Sequence, residues 1–195
     1  MKHEVDGRPR LHVVKELNDA KGTLTMYYGE EIGMTNVPIA PEQVQDPAEK
    51  NEPGIGQGRD PERTPMCWDR SQLAGFTTGL PWLPLGGDSR SVNVAVEQQD
   101  NSSILILYRK LIALRKSHPA LVSGKLNEIH VEKNILRFRR SGAEEIEVIL
   151  NMTREEISVQ TPSARVLLGT QMDREGETAG LSALRAGEGV VLLLP

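Results

Sequence analysis

Arginine, carboxylate and indole side chains crowd into one short stretch of this sequence of 195 residues. Arg59, Asp60, Glu62 and Arg63 precede the run Thr-Pro-Met-Cys-Trp-Asp at positions 64–69. An arginine fork beside an indole can hold a hydroxylated ligand by hydrogen bonds and stacking. An internal arginine–aspartate pair that pins a loop explains the same residues equally well. The stretch therefore predicts a polar cluster, with ligand binding and loop anchoring as its two interpretations.

Glu30 and Glu31 form a carboxylate pair that follows Gly29, beside a candidate strand. Two carboxylates carry out glycoside hydrolysis when they lie about 5 to 9 Å apart across the bond that is cleaved. Neighbours on an extended strand point to opposite faces, so we do not expect both to reach one substrate. We interpret the pair as supplying one structural carboxylate, which caps a loop or binds an arginine.

Two further motifs carry weak signals. Gly54, Gly56 and Gly58 are spaced like a phosphate-binding loop. No predicted strand precedes them and no predicted helix follows, so a flexible loop is the better interpretation. Cys67 has no histidine near it in the sequence, so we expect neither a nucleophile nor a metal site there. The sequence thus predicts no metal and no cofactor.

The composition excludes several classes of protein. A formal net charge of −4 and a pI of about 5.7 argue against a nucleic-acid partner. No run approaches the roughly 18 to 20 apolar residues of a membrane helix, and the first residues lack the apolar stretch of a secretory signal. The single cysteine forms no internal disulfide. We therefore expect a cytoplasmic protein without membrane contact.

The secondary structure that the sequence predicts around these residues differs from one part of the chain to the next. Residues 1–22 are poorly patterned, with a short helix at 11–17 as one option, and residues 23–28 are rich in β-branched and aromatic types, which predicts a strand. Residues 35–100 hold most of the prolines and show no period. Because three aromatic residues also lie there, we expect an ordered loop packed over something rather than disorder.

The clearest helix spans residues 100–117, with several polar candidates for its N-cap and an apolar stripe along one face. His118-Pro119 ends it. After residue 120 the pattern favours short strands joined by short turns, which is typical of an antiparallel sandwich or a small barrel. The candidate strands are 128–133, 135–140, 145–150, 155–160, 165–168 and 189–194.

Several of these motifs together resemble one enzyme family. The run Tyr-Tyr-Gly-Glu-Glu-Ile-Gly-Met at 27–34 is similar to the segment at the eighth barrel strand of glycoside hydrolase family 13, the α-amylase family. The run at 59–69 resembles a segment of that family's α-glucosidase, oligo-1,6-glucosidase and trehalose synthase branch, with Cys67 where the family usually has glutamine. The match continues through Ala-Gly-Phe-Thr, Pro-Trp-Leu-Pro, Asn-Val and Tyr-Arg-Lys-Leu-Ile-Ala-Leu-Arg, and so runs from about residue 22 to 123.

The resemblance implies an α+β fold in two domains. Residues 1–118 would be the C-terminal remnant of a catalytic (β/α)8 barrel, with its last strand, a long β→α loop and its last helix, and residues 119–195 a C-terminal antiparallel β-sandwich. Members of the family hydrolyse or transfer α-glucosyl groups with retention, and their catalytic carboxylates lie on earlier barrel strands. We therefore expect no catalytic residue in this chain, and no hydrolysis by the chain alone.

One binding role carries over from the resemblance. The arginine of the Arg-Thr-Pro-Met segment recognises the −1 glucose in that branch, which points here to Arg63, with Arg59 as the second choice and Glu30 as a structural carboxylate near the site. The expected ligand is an α-glucoside or maltooligosaccharide, once a complementing chain supplies the missing barrel. The alternatives are a non-catalytic module that binds carbohydrate or a partner, a homo-oligomer, and a relic product with no selected role.

Overall fold

The computed structural model describes residues 26–195, which divide into two compact units, 26–106 and 107–195. The expectations for residues 1–22, including the short helix at 11–17, lie outside the described residues. Within the described part of the chain, no helix is long and apolar enough to cross a membrane. The predicted domain boundary between residues 118 and 119 stays a prediction.

Short helical turns build much of the first unit. Its 3₁₀ helices are Glu30–Ile32, Pro41–Gln43 and Asp60–Glu62, and its complete α-helices are α1 (Pro47–Asn51) and α2 (Val94–Glu97). Proline stands in the first turn of three of these elements. It suits that place because its φ is already helical and the N–H that it lacks would have no helical partner there.

A small apolar core holds the first unit together. Its buried residues are Ile32, Met34, Met66, Cys67, Ala74 and Leu105, with Leu85, Val92 and Val94 packed against them. The ordered loop expected at 35–100 therefore has a core of its own. The aromatic residues that prompted this expectation, Trp68, Phe76 and Trp82, are nevertheless exposed.

The strand predicted at 23–28 is wrong for its described part. Met26 and Tyr27 are irregular, and Tyr28 lies in a turn. The Tyr27 N–H donates to Oε2 of Glu30 at 3.2 Å, and the Glu30 N–H donates to the Tyr27 carbonyl at 3.2 Å. These local bonds close a turn and take the backbone groups that a strand would offer to a neighbour. Residues 23–25 lie outside the described residues.

The predicted long helix is confirmed as α3 (Ile104–Ser117) and begins later than expected. Among the polar residues offered as caps, Ser103 fills the role, because its Oγ accepts the N–H of Ile106 at 3.2 Å. Asp100 instead accepts the N–H of Ser102 at 2.8 Å in the preceding turn. A short helix, α4 (Pro119–Ser123), follows at once.

The strands of the second unit form two antiparallel sheets, as the patterning predicted. The larger sheet has the order β1-β2-β3-β8-β5-β6, and the smaller one pairs β4 with β7. The strands are β1 (Lys125–Glu132), β2 (Ile135–Ser141), β3 (Glu145–Asn151), β4 (Ile157–Ser158), β5 (Ala164–Gly169), β6 (Thr178–Ala179), β7 (Ala183–Leu184) and β8 (Gly189–Leu193).

Residues from both sheets meet in one apolar core, which comprises Ile149, Val159, Ala164, Val166, Leu181, Leu184, Val190 and Leu192. The short helix α4 packs against β2 and β3. Arg140 of β2 is only 2% exposed and donates to the carbonyls of Ala120, Leu121 and Val122 at 3.2, 3.4 and 3.4 Å. A buried strand residue thereby satisfies the carbonyls of α4.

Four of the six predicted strands are confirmed to within a residue at each end, and the strand predicted at 128–133 begins earlier, at Lys125. The strand predicted at 155–160 shrinks to Ile157–Ser158. One reason is that the Glu155 carbonyl accepts Nδ2 of Asn151 at 2.7 Å, within a turn. Strands β6 and β7 were not predicted, because two residues are too few to show an alternation of apolar and polar side chains.

Candidate functional site

The polar cluster centres on a residue that the sequence analysis did not single out, Asp46. It is the N-cap of α1 and is 4% exposed. Its Oδ1 accepts the N–H of Ala48 at 2.9 Å, and its Oδ2 accepts the N–H of Arg59 at 3.2 Å. The two carboxylate oxygens therefore join the start of α1 to the loop that carries the arginines.

Both candidate binding arginines lie beside this carboxylate. Nη1 of Arg63 is 3.3 Å from Oδ2 of Asp46, and Nε of Arg59 is 3.8 Å from the same atom. The side chain of Arg63 is 36% exposed and that of Arg59 is 67% exposed. The loop-anchoring interpretation is thus confirmed, while the binding of substrate by these two arginines stays a prediction.

A second buried carboxylate binds the backbone of Asp46 and of the residue before it. Asp60 is 3% exposed, and its Oδ2 accepts the N–H groups of Gln45 and Asp46 at 2.5 and 2.8 Å. Asp60 lies between Arg59 and Arg63 in sequence. Its two hydrogen bonds therefore hold the loop that carries these arginines against the residues that precede α1. Glu62, which completes the acidic part of the predicted cluster, is also buried.

The surroundings of Asp46 favour its charged form. The pKa of its carboxyl lies below the ordinary value, first because the carboxylate accepts the backbone N–H of Ala48 and then that of Arg59. The charges of Arg63 and Arg59 add smaller effects in the same direction, and desolvation opposes them. Asp46 therefore remains an anion at neutral pH and keeps its attraction for both guanidinium groups.

Tyr28 brings the earlier motif, at 27–34, into contact with the arginine loop. Its hydroxyl donates to the carbonyl of Thr64 at 2.8 Å. Burial is the main cause that raises the pKa of this phenol, with the Tyr27 ring contributing in the same direction and Arg63 opposing it. The two tyrosine rings stack with centroids 5.5 Å apart. The two stretches that carried the resemblance thus meet in the folded chain.

Backbone N–H groups of the glycine-rich loop at 54–58 bind the carboxylate of Glu49. Oε1 of Glu49 accepts the N–H of Gly54 at 2.7 Å, and Oε2 accepts the N–H of Gly58 at 3.3 Å. A Cβ on Gly58 would lie 2.6 Å from Cβ of Glu49, so glycine is needed for this close approach. A carboxylate of the protein thus accepts these two backbone N–H groups, and the flexibility expected of this loop stays a prediction.

A cavity of about 340 Å³ adjoins this part of the cluster. Its lining comprises Asn36, Ile39, Val44, Glu49, Gly56, Gly58, Asp60, Pro61 and Glu62. Within residues 26–195, no three His, Cys, Asp or Glu side chains are grouped so that they could hold a metal ion.

The other candidate residues, Glu30, Glu31 and Cys67, have structural roles. Oε2 of Glu30 accepts the N–H of Tyr27, and Oε2 of Glu31 accepts the N–H of Gly29 at 2.7 Å. Both carboxylates thus cap the same turn, whereas the loop-capping interpretation gave this role to one of them. Cys67 is 1% exposed and belongs to the core of the first unit.

One sequence signal could have revealed Asp46. An aspartate directly before a proline is a typical start of a helix, and Asp46-Pro47 opens α1 in this way. That signal predicts the cap. It does not predict the pairing with Arg59 and Arg63, because this depends on how the intervening loop folds back.

Residues 9–124 match the model of the α-amylase family, described as the catalytic domain of α-amylase. The chain is 36% identical to the oligo-1,6-glucosidase of Parageobacillus thermoglucosidasius, in a match that covers 77% of this chain and 31% of the relative. It is 34% identical to a probable α-glucosidase of Rhizobium meliloti (strain 1021), over 77% of this chain and 27% of that protein.

Solved structures agree with these matches. The trehalulose synthase MutB of Pseudomonas mesoacidophila MX-45 superposes with a TM-score of 0.83 at 27% identity, covering 96% of this chain and 38% of that one. The chain thus spans about a third of the length of the curated relatives named above. On the extent of the family match, the chain belongs to the α-amylase family, glycoside hydrolase family 13, and is α-glucosidase-like within it.

Proposed function

We propose that the chain forms the C-terminal part of a retaining α-glucosidase and contributes substrate-binding arginines rather than catalytic carboxylates. The observation that carries this proposal is the anchoring of Arg63 and Arg59 on Asp46, within the range that matches the catalytic domain. Residues 1–118 then supply the end of a (β/α)8 barrel, with its long loop and last helix, and residues 119–195 form the β-sandwich domain. The substrates are α-glucosides and maltooligosaccharides, and the place of action is the cytoplasm.

Arg63 is the residue we assign to sugar binding, with Arg59 as its neighbour. A guanidinium group carries five N–H donors in a planar fork, and sugar hydroxyls accept such bonds. Nη1 of Arg63 donates to Oδ2 of Asp46 at 3.3 Å, which limits the orientations of the fork before a ligand arrives. A side chain that is already ordered loses less conformational entropy on binding, which favours affinity.

The carboxylates of the cluster are already engaged by the protein. Asp46 accepts two backbone N–H groups and faces both arginines, and Asp60 accepts two further backbone N–H groups. Retaining hydrolysis needs an acid and a nucleophile about 5 to 5.5 Å apart across the glycosidic bond. We therefore assign that couple to the preceding barrel strands, supplied by a complementing polypeptide.

The test is the Michaelis constant of the complemented enzyme. The chain is produced together with the part of an α-glucosidase that precedes the matched segment, and glucose release from maltose is measured. Arg63→Ala should raise KM roughly tenfold or more, because a hydrogen bond from a charged donor is worth about 1.5 to 3 kcal/mol. Arg165→Ala, at an exposed position of β5, is the control. An unchanged KM for Arg63→Ala would refute the assigned role.

A non-catalytic module that binds carbohydrate is the second candidate. The exposed rings of Trp68 and Trp82 favour it, because aromatic faces stack on sugars. Titration of the chain alone with maltose distinguishes the two functions. Saturable binding by the chain alone, lost in Trp82→Ala, supports the module, whereas binding that appears only after complementation supports the α-glucosidase part.

A further inference from the structure

An open cleft of about 630 Å³ lies in the second unit, over β1 and β2 of the larger sheet. The smaller sheet has only two strands, and the core between the sheets takes its buried residues of the larger sheet from β3, β5 and β8. A cleft of this size is in the range of small-molecule sites. Its lining comprises His130, Val131, Glu132, Ile135, Arg137, Ser158, Val159 and Gln160.

A bulge in β1 turns His130 toward the cleft. Asn127 pairs with Arg139, and the next pair in register is His130 with Arg137. Two residues of β1 therefore stand opposite one residue of β2, and without this bulge positions 127 and 130 would lie on opposite faces of the strand. Glu128, inside the bulge, has a φ of 51°, which is costly for a residue other than glycine. The strained backbone thus places His130 on the face that carries Arg137.

The opposite wall of the cleft is the second edge of β4, which no strand within residues 26–195 covers. The N–H of Val159 donates to the carbonyl of Ser182 at 3.0 Å, on the side of β7. Because the backbone groups of an antiparallel strand alternate between its two edges, those of Ser158 and Gln160 point the other way. The Gln160 carbonyl accepts Nη2 of Arg137 at 3.2 Å, so this edge faces β2. The N–H groups of Ser158 and Gln160 therefore face the cleft.

Charged groups around the cleft are paired with one another. Nε of Arg137 is 3.9 Å from Oε1 of Glu147, a residue that is 1% exposed. At the rim, Nζ of Lys133 is 3.8 Å from Oε1 of Glu132. An ion in the cleft would meet groups of both signs at similar distances, and their effects on it would largely cancel. The cleft therefore favours an uncharged ligand.

The lining offers hydrogen-bonding groups of both kinds together with apolar surface. The guanidinium of Arg137 donates and the carboxylate of Glu132 accepts, while the ring of His130 and the amide of Gln160 can do both. Ile135 adds apolar surface to the floor. An oligosaccharide matches this combination, because each hydroxyl donates and accepts while the C–H faces of its rings are apolar. We propose that the cleft binds a short, uncharged oligosaccharide.

An extended peptide fits the same edge less well. A peptide that added a strand beside β4 would use the Gln160 carbonyl as one of its acceptors. That carbonyl already binds Arg137, whose side chain reaches from β2 to this edge. The contact limits the cleft to a compact ligand.

Titration of the purified chain with maltotriose tests the inference, and the choice of α-linked glucose units as the probe rests on the proposed function. Calorimetry should show saturable binding. In a heteronuclear NMR spectrum the amide resonances of Ser158 and Gln160 should shift, because their N–H groups face the cleft. Shifts confined to the first unit would place the sugar there and overturn the inference.

Two neighbouring positions of β1 provide matched variants. His130→Ala removes an exposed ring that lines the cleft, so it should leave the fold intact and weaken binding about fivefold or more. Ile129→Ala truncates a side chain that is 56% exposed and does not line the cleft, and it should change the dissociation constant by less than about twofold. Equal effects of the two substitutions would overturn the inference.

The remaining outcomes separate this cleft from the first unit. Trp82→Ala and Arg63→Ala should leave the binding of maltotriose by the chain unchanged, and loss of binding in either would overturn the inference. No saturable binding, or binding of inorganic phosphate in place of maltotriose, would also overturn it. Maltotriose in the cleft together with an unchanged KM for Arg63→Ala would retain the inference and reject the assigned role of Arg63. An empty cleft with a raised KM would do the reverse.

Discussion

Asp46 combines two tasks in one carboxylate. One oxygen caps α1 through Ala48, while the other faces Arg59 and Arg63. The first task needs only an acceptor, whereas the second needs the negative charge. An asparagine keeps one acceptor oxygen for the Ala48 N–H and replaces the other oxygen by an NH2 group, so Asp46→Asn keeps the first task and removes both the charge and the acceptor for the Arg59 N–H.

We expect Asp46→Asn to make the first unit less sensitive to acid. The pKa of Asp46 is lowered on folding, so its stabilising effect is complete above the unfolded value of about 4 and is lost as the pH falls through the folded value. The variant lacks this titration, so its urea midpoint should fall less between pH 7 and pH 3 than that of the wild type. Tryptophan fluorescence measures the midpoint, because both tryptophans lie in the first unit.

Glu42→Gln is the matched control for this experiment, because it makes the same chemical change at an exposed position of a 3₁₀ helix. It should leave the difference between the two midpoints as in the wild type. An Asp46→Asn variant with the full wild-type difference would show that the charge of Asp46 does not stabilise the fold.

At the scale of single elements, Asn93 fixes the start of α2. Its Oδ1 accepts the N–H of Val96 at 3.0 Å, its Nδ2 donates to the carbonyl of Ser89 at 2.9 Å, and the residue is fully buried. Asn93→Ala should lower the free energy of unfolding of the first unit by about 1 to 2 kcal/mol. Fluorescence-detected urea unfolding measures it, with exposed Asn101→Ala as the control. Equal stability of the two variants would contradict the role.

Arg140 plays the corresponding part at the C-terminal end of α4. Its buried guanidinium donates to three carbonyls, of which those of Ala120 and Leu121 also accept from the Gly124 N–H and from Nη1 of Arg115, so removing it costs the hydrogen bonds from this charged donor. Arg140→Met should destabilise the second unit by about 2 to 3 kcal/mol. Unfolding followed by far-ultraviolet circular dichroism tests this, with Arg165→Met at an exposed position of β5 for comparison. If both methionine variants unfold alike, Arg140 does not hold the helix.

The sequence predicted elements best where a local pattern decides the structure. The apolar stripe of α3 was recognised because its apolar residues recur at helical spacing, and β2, β3 and β8 were recognised as short strand-like runs bounded by turn residues. The strand at 23–28 failed in its described part because one carboxylate, Glu30, binds the backbone of Tyr27 and closes a turn. Side-chain to backbone bonds of this kind leave no period to detect.

The candidate site shows the same limit. Arg59 and Arg63 were found from their types and spacing, and their anchoring was one of the two interpretations considered. Asp46 was missed because its bond with them joins segments that are far apart in sequence, at positions 46 and 63. Such contacts depend on how the loop folds back, which Asp60 fixes through the backbone of Gln45 and Asp46.

On the scale of the whole molecule, residues 26–195 form two compact units. The first has an apolar core of its own and carries the anchored arginines, and the second is built on antiparallel sheets. In the proposed enzyme the chain recognises the sugar, while the acid and the nucleophile come from the earlier barrel strands.

Glucose release by the purified chain of 195 residues is the most direct test of this account. Incubated alone with maltose or p-nitrophenyl α-glucoside, the chain should release no more product than the uncatalysed reaction, because its cluster carboxylates are engaged in anchoring loops. Addition of the preceding part of an α-glucosidase should bring activity. Turnover by the chain alone would contradict the account, since it would place an acid and a nucleophile within these residues.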